Sequence, residues 1–169
     1  MSQHRFIEPT PTPATSWRSV VLFGANVASY KFALAKSLLE IAAAGNDHVT
    51  LAALAEPFSR QICEHLKLAE KQGTSAQSRF LDACRSFNAG EIDKAALIAT
   101  TERLGFQNVI DAFHVVQGED VPIRFFHDQR RTENPSISLD DSLFKLAAGE
   151  QGASLPLEAE ARWRLVGLR

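Results

Sequence analysis

The chain has 169 residues, about the size of one domain. Hydrophobic residues make up 45% and charged residues 22%, an ordinary balance for a packed globular protein and the wrong one for a disordered tail. Eighteen Lys and Arg against twenty Asp and Glu leave a net charge of −2, which excludes a strong overall field for nucleic acid or an anionic membrane.

Residues 1–15 carry Pro9, Pro11 and Pro13 among threonines. Proline lacks the amide donor and biases its predecessor to extended backbone, so a flexible Pro/Thr-rich arm is expected there. Ser16 is the expected cap of one long helix from Trp17 to Ala44, with Val20, Phe23, Val27, Tyr30, Leu34, Leu38 and Ile41 as its apolar stripe. Asn26, Lys31, Lys36 and Glu40 interrupt that run, so it reads as a core helix and not a membrane span. Gly24 would bend it or let another helix approach closely, and Gly45-Asn46-Asp47 stops it.

Thr50 caps a short turn, and a second helix is expected to open at Pro57 and end before Gly73, burying Phe58, Ile62, Leu66 and Ala69. Thr74 and Gln77 fit a capping box for a third helix with Phe80, Ala83, Cys84 and Phe87 inward. A fourth helix fits Asp93 to Leu104, stopped by Gly105. Asn108 to Val116 suits either helix or strand. Val121–Phe126 and Ser136–Leu139 then read as two extended segments around a polar turn, which gives a small hairpin. A short helix follows over Asp140–Ala148. Pro156 opens the last, with Leu157, Ala161 and Leu165 on one face. The fold class expected is mainly α: a multi-helix domain over residues 16–169 with a hairpin near residues 121–139.

Little chemistry is legible. Cys63 and His65 are two apart, which on a helix turns them about 200° from each other, so they do not join Cys84 around one metal. Two cysteines are too few for a disulfide framework and point to a reducing compartment. With no signal-peptide run at the N-terminus, the expected location is cytoplasmic. Asp111 and His114 share a helical spacing, but no marked nucleophile accompanies them, and a hydrogen-bonded surface pair is the favoured account. His127-Asp128 with Arg130 and Arg131 could offer two arginines to a phosphate, but a solvated loop is the preferred account. No phosphate-loop pattern, catalytic motif, metal cluster or cofactor motif is present in the sequence.

Ser16 to Leu34, Pro57-Phe58-Ser59-Arg60, Lys71-Gln72-Gly73-Thr74-Ser75, Phe80 to Arg85, Asn108 to His114 and Glu160 to Val166 together resemble the amino-terminal region of bacterial HNH-endonuclease-type proteins. The likeness covers nearly everything after residue 15. In that group the region precedes a nuclease module with a His-Asn-His metal site, which has no counterpart here, so no catalytic residue carries over. The resemblance implies a non-catalytic domain that positions DNA or a protein partner in defence against foreign DNA. It also implies that the last helix leads onward, leaving its apolar face open to a partner or an oligomer.

Nine basic against seven acidic residues in positions 1–90 nominate Arg60, Lys67, Lys71, Arg79 and Arg85 as nucleic-acid contacts. The alternative is a protein-interaction or assembly domain with no nucleic-acid role, using Trp17, Trp163 and the last helix. No membrane partner is expected.

Overall fold

The computed structural model describes residues 11–23, 28–68 and 78–167. Its elements are mainly helical, with one three-stranded and one two-stranded antiparallel sheet among the described residues. Helix α1 spans Pro13–Phe23 and begins earlier than the Ser16 cap expected from the sequence. Thr12 is its cap, accepting the Thr15 amide on Oγ1 at 3.2 Å, and Pro13 takes the first helical position, where a missing amide costs nothing. Residues 13–15 of the expected arm are therefore helical, and residues 1–10 lie outside the described residues.

The long helix read over Trp17–Ala44 is two helices, α1 and α2 (Ala28–Ala43), separated by residues 24–27. The bend assigned to Gly24 falls outside the described residues. Phe23, placed on the buried stripe by periodicity, is 56% exposed because α1 turns its other side inward with Trp17, Val20 and Val21. Helix α2 is the central strut. Phe32 through Ala35, Leu38 and Leu39 are all buried, since α2 packs against α1 and several later helices at once.

After Gly45, whose φ of +84° closes α2, strand β1 (His48–Thr50) leads directly into α3 (Leu51–Leu68). The helix thus opens at Leu51 and not at Pro57. Thr50 Oγ1 accepts the Ala53 amide at 3.1 Å and is the real cap, so Pro57 sits inside the helix with its ring buried. The expected Thr74–Gln77 box and Ala69 lie outside the described residues. Ser78 caps α4 (Arg79–Asn88), accepting the Leu81 amide.

Asp93 caps α5 (Lys94–Thr100), which widens into a π-helical turn at Thr101–Gly105. The ambiguous stretch holds both structures: α6 (Val109–Ala112) and then β2 (Val115–Val116). β2 pairs with β3 (Glu119–Asp120) through Gln117 and Gly118, both at positive φ, as a tight two-residue hairpin demands. Strands β4 (Phe126–Gln129) and β5 (Ser136–Leu139) form a hairpin, but its first strand begins at Phe126, where the segment read from the sequence ends, and residues 121–125 are not strand; β1 adds to its free side to give the order β1-β5-β4. Asp140 caps α7 (Asp141–Ala148), and α8 (Leu155–Gly167) closes the described fold.

One hydrophobic core runs through these layers. Its aromatic centre holds Trp17 edge-on to Phe113 and Phe125, while Phe58 packs between Phe80 and Phe106. Helix α8 inserts Leu155, Ala159 and Trp163, one residue per turn, against α2. No helix among the described residues is long and apolar enough to cross a membrane.

Candidate interaction surface

The nominated cations are mostly neutralised by neighbours. Arg60 reaches from α3 to Glu40 on α2 with two bonds, at 2.6 and 2.8 Å, and also approaches Glu56 one turn back. Lys67 pairs with Glu64 and Arg85 with Asp82, each across one turn. Arg79 is exposed on α4. Lys71 lies outside the described residues.

Trp17 and Trp163 are 1% and 0% exposed, which corrects their assignment as interface residues. Each fills the chain's own core, Trp17 against Phe113 and Phe125, Trp163 against Phe32 and His65, so neither is presented to a partner. Their size and position near the ends of the fold suggested a surface. Packing of α1 and α8 on α2 explains them instead.

Asp111 and His114 part company. Asp111 faces Arg130 at 2.6 Å, whereas His114 is buried and accepts the Phe125 amide on Nε2 at 2.9 Å. Burial first, then the positive charges of Arg124, His127 and Lys31, pushes the His114 pKa down to about 3. A histidine so held takes up no proton near neutrality and touches no surface where a substrate would sit. Arg130 is also shared with Asp128, whose carboxyl the guanidinium holds below its usual range. His127 bonds Asp140 at 2.8 Å. Arg130 is therefore clamped between two carboxylates.

Cys63 and Cys84 do meet, the Cys63 thiol lying 3.9 Å from the Cys84 carbonyl, while His65 points elsewhere. It stacks flat on Trp163, with ring centres 3.3 Å apart, and bonds Glu160 at 2.9 Å. No group of three His, Cys, Asp or Glu side chains among the described residues is gathered closely enough to hold a metal ion.

Glu160 is the hub of a network that sequence reading missed. Its Oε2 accepts Lys36 at 2.6 Å as well as His65, and its Oε1 accepts Arg164 at 3.1 Å. Burial pulls this carboxyl upward, yet the three bonds outweigh it and hold the pKa at about 2. Beside the network, Lys36, Glu40, Gln61, Ala147 and Pro156 line a cleft of about 440 Å³. On the opposite edge of α8, Arg18 reaches Glu158 at 3.3 Å and also bonds Gln151. Helix α8 is therefore held on α1 and α2 by an apolar inner line and by ion pairs at both edges.

Its outer line is also apolar. Leu157 and Leu165 are 71% and 62% exposed, and Ala161 between them is exposed too. At about 100° per residue these three positions share one outward face, half a turn from Leu155, Ala159 and Trp163. Arg162 bonds the Leu22 carbonyl at 3.3 Å, which sets the exposed Leu22 and Phe23 along the Arg162 edge of the same helix. No family model matches the chain, and neither the curated proteins nor the solved structures compared with it give a match.

Proposed function

We propose that this chain is a protein-interaction or assembly domain that docks through the outward face of α8. The observation that carries the reading is the pair Leu157 and Leu165, largely exposed on a helix whose other apolar line is already anchored in the core. A helix that needs one apolar stripe to fold has no packing use for a second. Leucines aligned on a rigid helix, with Leu22 and Phe23 beside them, make the kind of apolar patch that marks a binding surface. The reading agrees with the near-neutral net charge and with the ion pairs that occupy Arg60, Lys67 and Arg85.

A photo-crosslinking amino acid at position 161, with position 94 on exposed α5 as control, tests it in cells of the source type. Adducts with a polypeptide from position 161, lost when Leu157 and Leu165 become glutamate, are the expected result. No adduct from position 161 above the control overturns the reading. Duplex DNA anisotropy at about 50 and about 200 mM salt addresses the rival class, a domain that positions nucleic acid. Tight binding that falls steeply with salt, and is lost when Arg60, Lys67, Lys71, Arg79 and Arg85 are neutralised, would replace the interaction reading with that one.

A further inference from the structure

The geometry points to Cys63 and Cys84 as a reversible oxidation site, at which a peroxide converts the two thiols into a disulfide joining α3 to α4. The chain has two cysteines in 169 residues, 21 positions apart, and the fold brings them together. Cysteine used only as a small apolar filler needs no second sulfur beside it. Here the Cys63 thiol reaches the Cys84 carbonyl at 3.9 Å, and the two thiols also hydrogen-bond each other. One turn further along α4, Asn88 donates its side-chain amide to the Cys63 carbonyl at 2.9 Å. Positions 84 and 88 of α4 thus both grip position 63, and bond formation starts from a sulfur contact already made.

The two thiols are chemically unequal. A hydrogen bond from the Cys84 thiol lowers the Cys63 pKa from its ordinary value against the opposing effect of burial, and the charge of Lys67 adds to the lowering. The same bond, and burial after it, pushes the Cys84 pKa up, so Cys84 keeps its proton. Thiolate is the attacking form, which makes Cys63 the first sulfur to react and Cys84 the one that resolves. Both side chains are buried, yet the charges of exposed Glu64 and Lys67 reach Cys63, so its sulfur lies close under the surface. The oxidant that fits such a position is a small one.

The Cys63 thiolate attacks one oxygen of hydrogen peroxide. A sulfur–oxygen bond forms, the oxygen–oxygen bond breaks, and the departing hydroxide takes up the proton Cys63 had released and leaves as water. The Cys84 sulfur then attacks the Cys63 sulfur. The disulfide forms, the sulfur–oxygen bond breaks, and hydroxide leaves as water with the Cys84 proton. Two thiols are oxidised and one peroxide is reduced to two waters. A dithiol reductant reverses the change by exchange, and in a reducing compartment transient bonds of this kind are the usual use of a cysteine pair. The bond ties α4, a helix of only 10 residues, to α3 and closes the chain from 63 to 84. A loop of that length raises the ratio of folded to unfolded chain on the order of a hundredfold.

The test uses the unmodified full chain near neutral pH, treated with hydrogen peroxide in small molar excess and then capped with a maleimide in acidic urea. Trypsin, cutting after Arg60, Lys67, Arg79 and Arg85, leaves Cys63 in 61–67 and Cys84 in 80–85. Those two peptides joined, with both thiols recovered after dithiothreitol, are the expected product. The oxidised chain should also unfold at a higher urea concentration than the reduced one. Cys84→Ser should leave a sulfenic acid at Cys63 that dimedone traps, whereas Cys63→Ser should leave Cys84 reacting about tenfold more slowly or less. Alanine at each position gives the same comparison where a buried hydroxyl unfolds the chain. Two thiols that both still cap after peroxide, or that oxidise singly without joining, overturn the inference. So does a link that forms only when urea is present during oxidation, an oxidised chain with the lower urea midpoint, or equal reactivity of the two single-cysteine variants.

Discussion

Lowering the pH from about 7 to about 5 should cost the fold roughly 2 kcal/mol through His114 alone. The histidine is 1% exposed, flanked by Phe113, Phe125 and Phe126, and its Nε2 accepts the Phe125 amide. An accepting Nε2 fixes the proton on Nδ1, which is buried with no partner among the described residues. A second proton would break the Phe125 bond and place a full charge beside Lys31, Arg124 and His127. Accordingly its pKa is about 3, against 6.5 for the ordinary side chain.

In the unfolded chain the same group binds a proton below about pH 6.5. The stability it contributes is therefore complete above that pH and is lost as pH falls toward about 3, at close to 1.4 kcal/mol per unit. His65, whose pKa burial also lowers, adds loss of the same sign. The paired carboxylates Asp140 and Glu160, at about 2, titrate below this window.

Urea unfolding near pH 7 and near pH 5 measures the difference directly, with His114→Gln as the comparison. The glutamine can still accept the Phe125 amide but cannot titrate. It should be less stable near neutrality by about 1 to 2 kcal/mol from poorer packing. Its further loss on acidification should be smaller than that of the unmodified chain by about 2 kcal/mol. Equal losses for the two proteins would refute the argument, because they would mean that His114 binds the same number of protons folded and unfolded.

Glu160→Gln should destabilise the fold by about 1 to 3 kcal/mol in chemical denaturation, since Lys36, His65 and Arg164 all lose their shared carboxylate. The native carboxyl has a depressed pKa, so its contribution is whole above about pH 4.5 and fades toward about 2; the variant should lack that acid limb. Gly152→Ala should cost about 3 kcal/mol or more, read as a fall in thermal midpoint, because the added Cβ would stand 2.7 Å from the Ala147 carbonyl carbon, which is backbone and cannot step aside. At Gly45, where nothing lies within 4 Å, alanine should cost only the left-handed strain of about 1 to 2 kcal/mol. Thr50→Ala should remove the cap of α3 and about 1 kcal/mol with it, checked by the same unfolding curves.

What the sequence disclosed depended on whether the relevant partners were near in the chain. The ends of α4, α5 and α7 were legible because Asn88-Ala89-Gly90, Asp93 and Asp140 act within a turn of themselves. Strand β5 was legible from its alternation, whereas β4 was placed over residues 121–126 because the apolar run there outweighs the polar His127–Gln129 that actually pairs. Strand β1 was not: three residues carry no period, and they become a strand only because β5 offers a free edge after some 85 intervening residues. The early start of α3 was missed because Pro57 satisfies the rule for a first helical position, yet a proline also survives inside a helix when its ring is buried, and Thr50 held the real cap. The partners of the nominated cations divide in the same way. Lys67–Glu64 and Arg85–Asp82 are one-turn pairs that spacing could have revealed, whereas the bond from Arg60 to Glu40 joins two helices.

Helix α8 shows why periodicity finds a face but does not say which way it looks. Leu155, Ala159 and Trp163 repeat every four residues, and so do Leu157, Ala161 and Leu165. Taken alone, the second line has more leucine and looks like the buried one. The core decides otherwise through one side chain. Trp163 needs a slot as large as the gap between Phe32 and His65, and once it is seated there the helix cannot rotate to bury Leu157 and Leu165 without withdrawing it. The ion pairs from Lys36 to Glu160 and from Arg18 to Glu158 fix the same rotation from both sides. An apolar line forced outward by a better-fitting line opposite cannot be relieved by rotating the helix, so among the described residues it stays uncovered.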